Sequence, residues 1–208
     1  MATAIENEYK FTATGSLDAD SLLHRLRTFL DGNGIRYKEK IRHSTDEYFD
    51  TPEMFLYEND CSLRRKRSSN SKIKLTAKKP GSRCSGMMSR VETERSSDGS
   101  QKDLLSFAKK NYPDYAIDLE PVVLIDTDRY AIDYDDGSEI KLSLDRCIYR
   151  SGKDSCQFYE IEVESMDDDL KTDFDDIGIL DFIEHDLGFT RTVKSKYTRG
   201  VEWISRLN

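Results

Sequence analysis

The sequence predicts an α+β protein, an eight-stranded antiparallel β-barrel with helices packed on its outside. Three observations predict it. Eight segments alternate with the two-residue period of a β-strand, each setting an apolar face against a charged one. Those charged faces carry both signs. Three further segments, 20–31, 101–111 and 167–187, hold apolar residues at helical spacing, in stripes broad enough to need a surface to pack on. Two arrangements satisfy the strands. In an ordinary barrel the charges face water, and ion pairs across strands add only ~0.2–1 kcal/mol each. In an inverted barrel, helices cover an apolar exterior and the charges line a water-filled tunnel. The helical stripes favour the tunnel.

The first strand, Ile5 to Phe11, puts Glu6, Glu8 and Lys10 on one face and Ile5, Tyr9 and Phe11 on the other, with Asn7 interrupting the apolar side. Ser16 to Asp20 then offers capping side chains. Leu22, Leu23, Leu26, Phe29 and Leu30 follow at helical spacing until Gly32-Asn33-Gly34 stops them. Residues 35–49 read as extended, Asp50-Thr51-Pro52 turns the chain, and a short helical turn fits Met54 to Tyr57. The strand from Cys61 to Arg67 aligns Arg64 with Lys66. After a polar turn, the strand from Lys72 aligns Lys74, Thr76 and Lys78. Pro80 to Ser89, with Gly81 and Gly86, reads as a mobile loop, either a lid or a long hairpin.

Arg90, Glu92 and Glu94 share the face of the next strand. A helix runs from near Ser100 through Leu104, Leu105 and Phe107 and ends before Pro113. Residues 121–134 form a long strand carrying Arg129, and Asp135-Asp136-Gly137-Ser138 is a hairpin signal. The returning strand, 139–148, sets Lys141, Ser143 and Asp145 opposite Ile140, Leu142 and Leu144. Ser151-Gly152 marks another hairpin, leading to a strand with Glu160, Glu162 and Glu164 on a single face. In the 167–187 helix, Asp167-Asp168-Asp169 suits the positive end of the helix dipole. A basic tail, 192–199, leads into a terminal helix anchored by Trp203. No repeat, low-complexity tract or linker divides the chain, so one domain over 1–208 is expected.

Composition bounds the partners. A net charge of -8 argues against broad nucleic-acid binding, so no nucleic acid duplex is expected and any polyanion must meet a local cluster of cations. Cys61, Cys84, Cys147 and Cys156 show neither a C-x-x-C pair nor zinc-site spacing, and read as reduced thiols. His24, His43 and His185 have no clustered partners. With no charged-then-apolar opening segment and no apolar run near ~20 residues, no membrane association and a cytoplasmic location are expected. Monomer and homodimer both remain open.

Three glutamates alternating on one strand, beside two on another, repel one another unless something positive sits between them. A divalent metal supplies that charge, and all-oxygen ligation points to Mg²⁺ or Mn²⁺. Lysines and arginines on the remaining faces would hold a substrate with several phosphate groups.

The motifs that carry these charges resemble one known family. Glu6-x-Glu8-x-Lys10, Tyr48-Phe49-Asp50-Thr51-Pro52, Ser62-Leu63-Arg64-x-Lys66, Leu75-Thr76-x-Lys78, Arg90-x-Glu92-x-Glu94, Arg129, Asp145, Glu160-x-Glu162-x-Glu164 and Ser195-Lys196-Tyr197-x-Arg199 are similar, in order along nearly the whole chain, to the CYTH superfamily of triphosphate tunnel metalloenzymes. The resemblance implies an eight-stranded tunnel that binds a triphosphate and cleaves it with Mg²⁺ or Mn²⁺. It implies Glu6, Glu8 and Glu164 as metal ligands, then Glu160 and Glu162, with Asp145 in the same set. Phosphate contact would fall to Lys10, Arg64, Lys66, Lys78, Arg129 and Lys196, with Lys74, Arg90 and Lys194 as further cations. Glu6, Glu8, Lys10, Lys78, Glu92 and Glu94 are the expected catalytic set. Two positions depart from the pattern: Lys66 stands where a second arginine is common, and Thr127 where a basic residue is common. Hydrolysis of inorganic or nucleoside triphosphate is the leading expectation. Thiamine triphosphatase, class IV adenylyl cyclase, RNA 5′-triphosphatase and a non-enzymatic polyphosphate-binding module are the alternatives.

Overall fold

All eight expected strands form in the computed structural model of the chain, which describes residues 2–15, 17–84, 87–115, 118–135, 140–165 and 177–207, with backbone alone at 82–84. They are β1 (Ala2–Thr14), β2 (Tyr37–Asp50), β3 (Ser62–Ser68), β4 (Ile73–Cys84), β5 (Met87–Ser97), β6 (Glu120–Tyr134), β7 (Ile140–Ser151) and β8 (Asp154–Ser165). The sheet runs β5-β4-β3-β2-β6-β7-β8-β1, and pairing of β1 with β5 closes it into an antiparallel barrel. A three-residue strand absent from the sequence reading, β9 (Thr190–Thr192), lies against Lys10 to Thr12 of β1.

Register decides which side chains meet, because a slip of one residue would turn every charge outward. Glu8 lies opposite Glu164, Lys10 opposite Glu162, and Thr12 opposite Glu160. Asp145 of β7 faces Glu160 on one side and Arg129 on the other. The charged faces point into the barrel and the alternate residues point out, toward the helices.

Helix α1 (Ala19–Gly32) is capped by Asp18, whose carboxylate accepts the Ser21 amide at 3.2 Å. It lays Leu22, Leu23, Leu26 and Leu30 over Phe11, Leu142, Leu144, Ile161 and Val163. Each such buried side chain contributes ~1.5–3 kcal/mol, so this face of the barrel is held from outside. Helix α2 (Phe55–Glu58) and helix α3 (Gln101–Asn111) cover a second face, where Leu56, Leu104 and Phe107 meet Phe49, Leu63, Leu75 and Ala77. The expected 167–187 helix is described only at its end, as α4 (Ile179–Asp181) running into a π-helical turn (Phe182–Asp186). Asp167, Asp168 and Asp169 lie outside the described residues, as do Ser16 and the Gly137-Ser138 turn.

One open reading is decided and one expectation changes. Of the two readings of 80–89, the described residues fit the long hairpin: β4 continues to Cys84, β5 begins at Met87, and Met87 and Met88 are buried. The barrel is also not hollow throughout. Helix α5 (Lys196–Ser205) sits at one end on an apolar group from inward-facing strand positions, Tyr48, Val123, Ile125, Cys147 and Tyr149. Tyr197 stacks on Tyr48 with centroids 5.4 Å apart, and Trp203 meets Tyr149 edge-on. Gly200 permits this approach, since a Cβ there would lie 2.4 Å from Val123. No described helix is long and apolar enough to cross a membrane.

Candidate active site

The inward faces enclose a cavity of about 500 Å³ that reaches from Tyr48 and Lys196 at the α5 end to the exposed Arg42, Ser69, Asn70 and Lys72 at the mouth. A smaller space of about 240 Å³ adjoins it, bounded by Arg129, Lys141, Glu162 and Glu164.

Nearest α5, the charges satisfy one another. Lys196 is buried and aims its ammonium at Asp145 (2.8 Å), Glu162 (3.1 Å) and Glu160. Arg199, one helical turn on, pairs with Glu160. Arg129 takes both oxygens of Asp145 at 2.8 and 2.6 Å and reaches Glu162 at 2.5 Å. Burial opposes ionisation of Glu162, yet Lys10, Lys196 and Arg129 hold its carboxyl well below the usual range. Asp145 is likewise held low, against burial, by Arg129 and Lys196.

The position of α5 depends on Asp50. That fully buried carboxylate accepts the Leu56 and Tyr57 amides at 2.8 and 2.9 Å, capping α2, and accepts the Tyr197 hydroxyl at 2.5 Å. One side chain therefore ties the end of β2, α2 and the helix that carries Lys196.

Farther out, ion pairs continue on β1, β4 and β5 and thin out on β8 and β3. On β1, Lys10 pairs with Glu8 at 2.7 Å and Glu162 at 2.8 Å, while Glu6 meets Lys78 of β4, which also holds Glu92 at 2.8 Å. Glu6 is kept below its ordinary value, despite burial, by Lys78 and Lys10. Glu8 goes the other way: burial pushes its carboxyl up, and its Oε1 is buried without a hydrogen-bond partner. Glu164 makes no ion pair among the described residues, and burial together with Glu6 and Glu162 pushes it up to about 7. On β3, Arg64 reaches Asp46 only at 3.7 Å and Thr76 at 3.3 Å. Lys66 makes no hydrogen bond or ion pair among the described residues, and burial pushes its ammonium down to about 8, with Arg64 adding to the effect.

The expected residues mostly converge. Glu6, Glu8, Lys10, Arg64, Lys66, Lys74, Lys78, Arg90, Glu92, Glu94, Arg129, Glu162 and Lys196 line the main cavity. Glu164 lines the adjoining one. Three cations are committed elsewhere: Arg90 to Asp60 at 2.5 Å, Lys74 to Glu94 at 2.5 Å, and Lys194 to Glu202 at 2.7 Å. Lys194 is exposed and does not line the cavity, so its place among the phosphate contacts is withdrawn. Asp46 and Arg42 are brought in beyond expectation. Both share the inward parity of Tyr48 on β2, but that face mixes Arg42, Ser44, Asp46 and Tyr48 and so lacks a run of like charge that would have marked it.

Residues 4–184 match the model of the CYTH domain. The chain belongs to the CYTH domain family. Solved structures share its fold at low identity. A putative adenylyl cyclase from Hippeastrum, described as revealing a dominant triphosphatase activity, is 19% identical over 95% of this chain and 96% of its own, with a TM-score of 0.64. A putative adenylate cyclase from Bacillus halodurans is 18% identical over 96% and 98%, with a TM-score of 0.62. A protein from Pyrococcus horikoshii is 18% identical over 94% and 99%, with a TM-score of 0.58. No curated protein sequence matches the chain.

A CYTH barrel of this kind can be asked where a divalent metal would fit. Asp145, Glu160 and Glu162 bring carboxylate oxygens within 4.8 Å of one another, a spacing that can hold an ion. In this structure Lys196, Arg129 and Arg199 already neutralise those three, and a metal there would displace Lys196. The orphaned oxygen of Glu8 and Glu164, which makes no ion pair among the described residues, lie opposite one another across β1 and β8. The donor set on β1 and β8 therefore fits a hard cation that takes oxygen ligands.

Proposed function

We propose that the protein is a divalent-metal-dependent triphosphatase that hydrolyses a triphosphate inside the barrel, with inorganic triphosphate as the preferred substrate and nucleoside triphosphates as a second class. One observation carries this reading: the opposed walls are short of opposite charges. Strands β8 and β3 lie four steps apart in either direction around the barrel. On one side Glu164 makes no ion pair among the described residues and one oxygen of Glu8 has no hydrogen-bond partner, and on the other Lys66 makes no ion pair among them. A triphosphate chelated to a divalent ion offers both in one ligand, with its phosphates toward β3 and its metal toward β1 and β8.

Arg64 and Lys66 would hold phosphate oxygens, arginine through its planar fork and lysine as a point charge. Lys10 and Lys78, each already shared between two carboxylates, bring further positive charge to the chain where the acid wall begins. Held in this way, the terminal phosphoryl group presents its phosphorus to water in line with the anhydride oxygen that leaves, and positioning and electrostatics account for most of the rate. Glu6, Glu8 and Glu164 would hold the Mg²⁺ or Mn²⁺ ion, which when bound neutralises charge developing on the phosphate oxygens. The dominant triphosphatase activity described for the Hippeastrum protein fits the same reading.

Preference for the inorganic ion follows from the lining. Among the described residues, its aromatic side chains are Tyr48, which is buried and stacked on Tyr197, and His43, which is held by Asp128 at 2.5 Å, so no ring is free to receive a base or a thiazole. Phosphate release from tripolyphosphate, ATP and thiamine triphosphate, with Mg²⁺, with Mn²⁺ and with a chelator, tests the reading. The expected result is metal-dependent release, fastest from tripolyphosphate. Tight binding without release would instead make the chain a polyphosphate-binding module, and cyclic nucleotide with pyrophosphate from ATP would make it a cyclase.

A further inference from the structure

We infer that the mouth of the barrel carries a separate anion subsite, built on Arg42 and Lys72, that takes the next phosphoryl group of a linear polyphosphate longer than triphosphate. The inference rests on the triphosphatase reading and extends its substrate outward.

Arg42 sits directly opposite Arg129 across β2 and β6, and both point inward. Like charges in that position repel unless each has a counter-ion. Arg129 has Asp145 and Glu162, whereas Arg42 makes no hydrogen bond or ion pair among the described residues. Its neighbours on the same face of β2 show that this is a local choice, because Lys38 and Lys40 pair with Asp135 and Asp133 at 3.0 and 2.9 Å. Arg42 lines both the main cavity and the adjoining one.

The inward positions form a track. From Arg64 and Lys66 the wall passes to the cross-strand pair Ser44 and Ser68, and then to Arg42 and the β3–β4 turn. The turn is held in place: the Ser68 amide donates to the Lys72 carbonyl at 2.9 Å, Ser71 to Ser68 at 2.9 Å, and Ser69 to the His43 carbonyl of β2 at 3.1 Å. Ser69, Asn70 and Lys72 therefore face the cavity from a fixed backbone, and the Lys72 ammonium has no ion pair among the described residues. The acid wall does not follow: Asp46 of β2 lies buried beside Arg64, and beyond it neither β2, β3 nor the turn between β3 and β4 adds a carboxylate to the main cavity lining. Cations and hydroxyls without carboxylates suit phosphate oxygens free of metal. The same rim has no aromatic side chain other than His43, which is held by Asp128 at 2.5 Å, and a nucleic-acid chain would need such a stacking surface.

Steady-state kinetics of wild type and of the Arg42→Ala/Lys72→Ala double variant, with tripolyphosphate and tetrapolyphosphate side by side, test the subsite. The expected result is a KM for tetrapolyphosphate raised about tenfold, as loss of a charged contact implies, with kcat/KM for tripolyphosphate unchanged within about twofold. Arg42→Lys should recover most of the loss, which a merely structural defect would not allow. Equal effects on both substrates would overturn the subsite. So would the same loss on a 5′-triphosphorylated oligonucleotide with none on tetrapolyphosphate. Calorimetric titration of both polyphosphates into both proteins gives the same comparison without turnover. A wild type that binds tetrapolyphosphate through Arg42 yet releases no phosphate would sink the triphosphatase reading and leave the subsite standing.

Discussion

At the α5 end of the barrel, Asp145, Glu160 and Glu162 meet Lys196, Arg199 and Arg129 in short ion pairs, sealed by Tyr197 and Trp203. Nearer the mouth, Glu164 and Lys66 are just as much part of the wall yet make no ion pair among the described residues, and Glu8, held by Lys10 through one oxygen, leaves the other without a hydrogen bond. Residue type does not separate the two regions, since both are lysines, arginines and carboxylates on inward strand faces. Partnership does. Where the chain supplies the counter-charge, the electrostatics belong to folding. Where it does not, we assign them to a ligand. Removing a charge should therefore unfold the protein at one end and silence it at the other.

The largest effect is expected at the closed end. Lys196→Ala strands three buried carboxylates around an empty position, and breaking a buried ion pair by removing one partner costs ~3–5 kcal/mol. Urea denaturation should show a midpoint far below wild type. An unchanged midpoint would mean that α5 is held by Tyr197, Gly200 and Trp203 alone, and the comparison would lose its structural half.

Glu8→Gln should do the reverse. The substitution removes an ionised group that burial already disfavours but also ends its pairing with Lys10, which keeps Glu162, so the fold should lose far less stability than at Lys196. Turnover should fall by at least ~10²-fold, the scale on which removal of a ligand-orienting or charge-stabilising group acts. Phosphate release at saturating Mg²⁺ together with a thermal melt reads both quantities. Near-wild-type turnover would remove Glu8 from the site.

This division was only half visible in the sequence. The eight strands, the α1 and α3 stripes and the inward charges follow from periodicity, because a strand buried on both faces by different chemistry keeps a strict alternation. What periodicity cannot give is who pairs with whom. Lys66 and Lys78 look alike as inward lysines, but register gives Lys78 both Glu6 and Glu92, while Lys66 lies between Asp46 and Lys74. The closure by α5 was hidden for a similar reason. Tyr48, Ile125 and Tyr149 look like ordinary core residues, and only the barrel's closure shows that their core is the interior itself. Asp50 was read as a turn residue; the structure shows it anchoring Tyr197, and no local pattern announces a partner 147 positions away.

The smallest effect is the one that reads the unmet charges directly. In metal-free, ligand-free protein, Glu164 has a folded-state value of about 7 against 4.5 ordinarily. A raised carboxyl contributes stability below pH 4.5 and loses it as pH climbs through 7. Lys66 has about 8 against 10.5, so its contribution is present above 10.5 and lost as pH falls through 8. The two limbs meet between pH 7 and 8, where both groups are largely charged and neither has a partner. Melting temperature should therefore decline from pH 4.5 to 7 on account of Glu164 and recover from pH 8 to 10.5 on account of Lys66, each by roughly 2–4 °C once solvent screening is allowed for. Glu164→Gln should flatten the acid limb alone, and Lys66→Met the alkaline limb alone. Mg²⁺ with tripolyphosphate should flatten both, because each ion supplies the charge that one wall lacks. If the metal and the polyphosphate together leave the dip between 7 and 8 intact, the unanswered charges are not where the ligand sits.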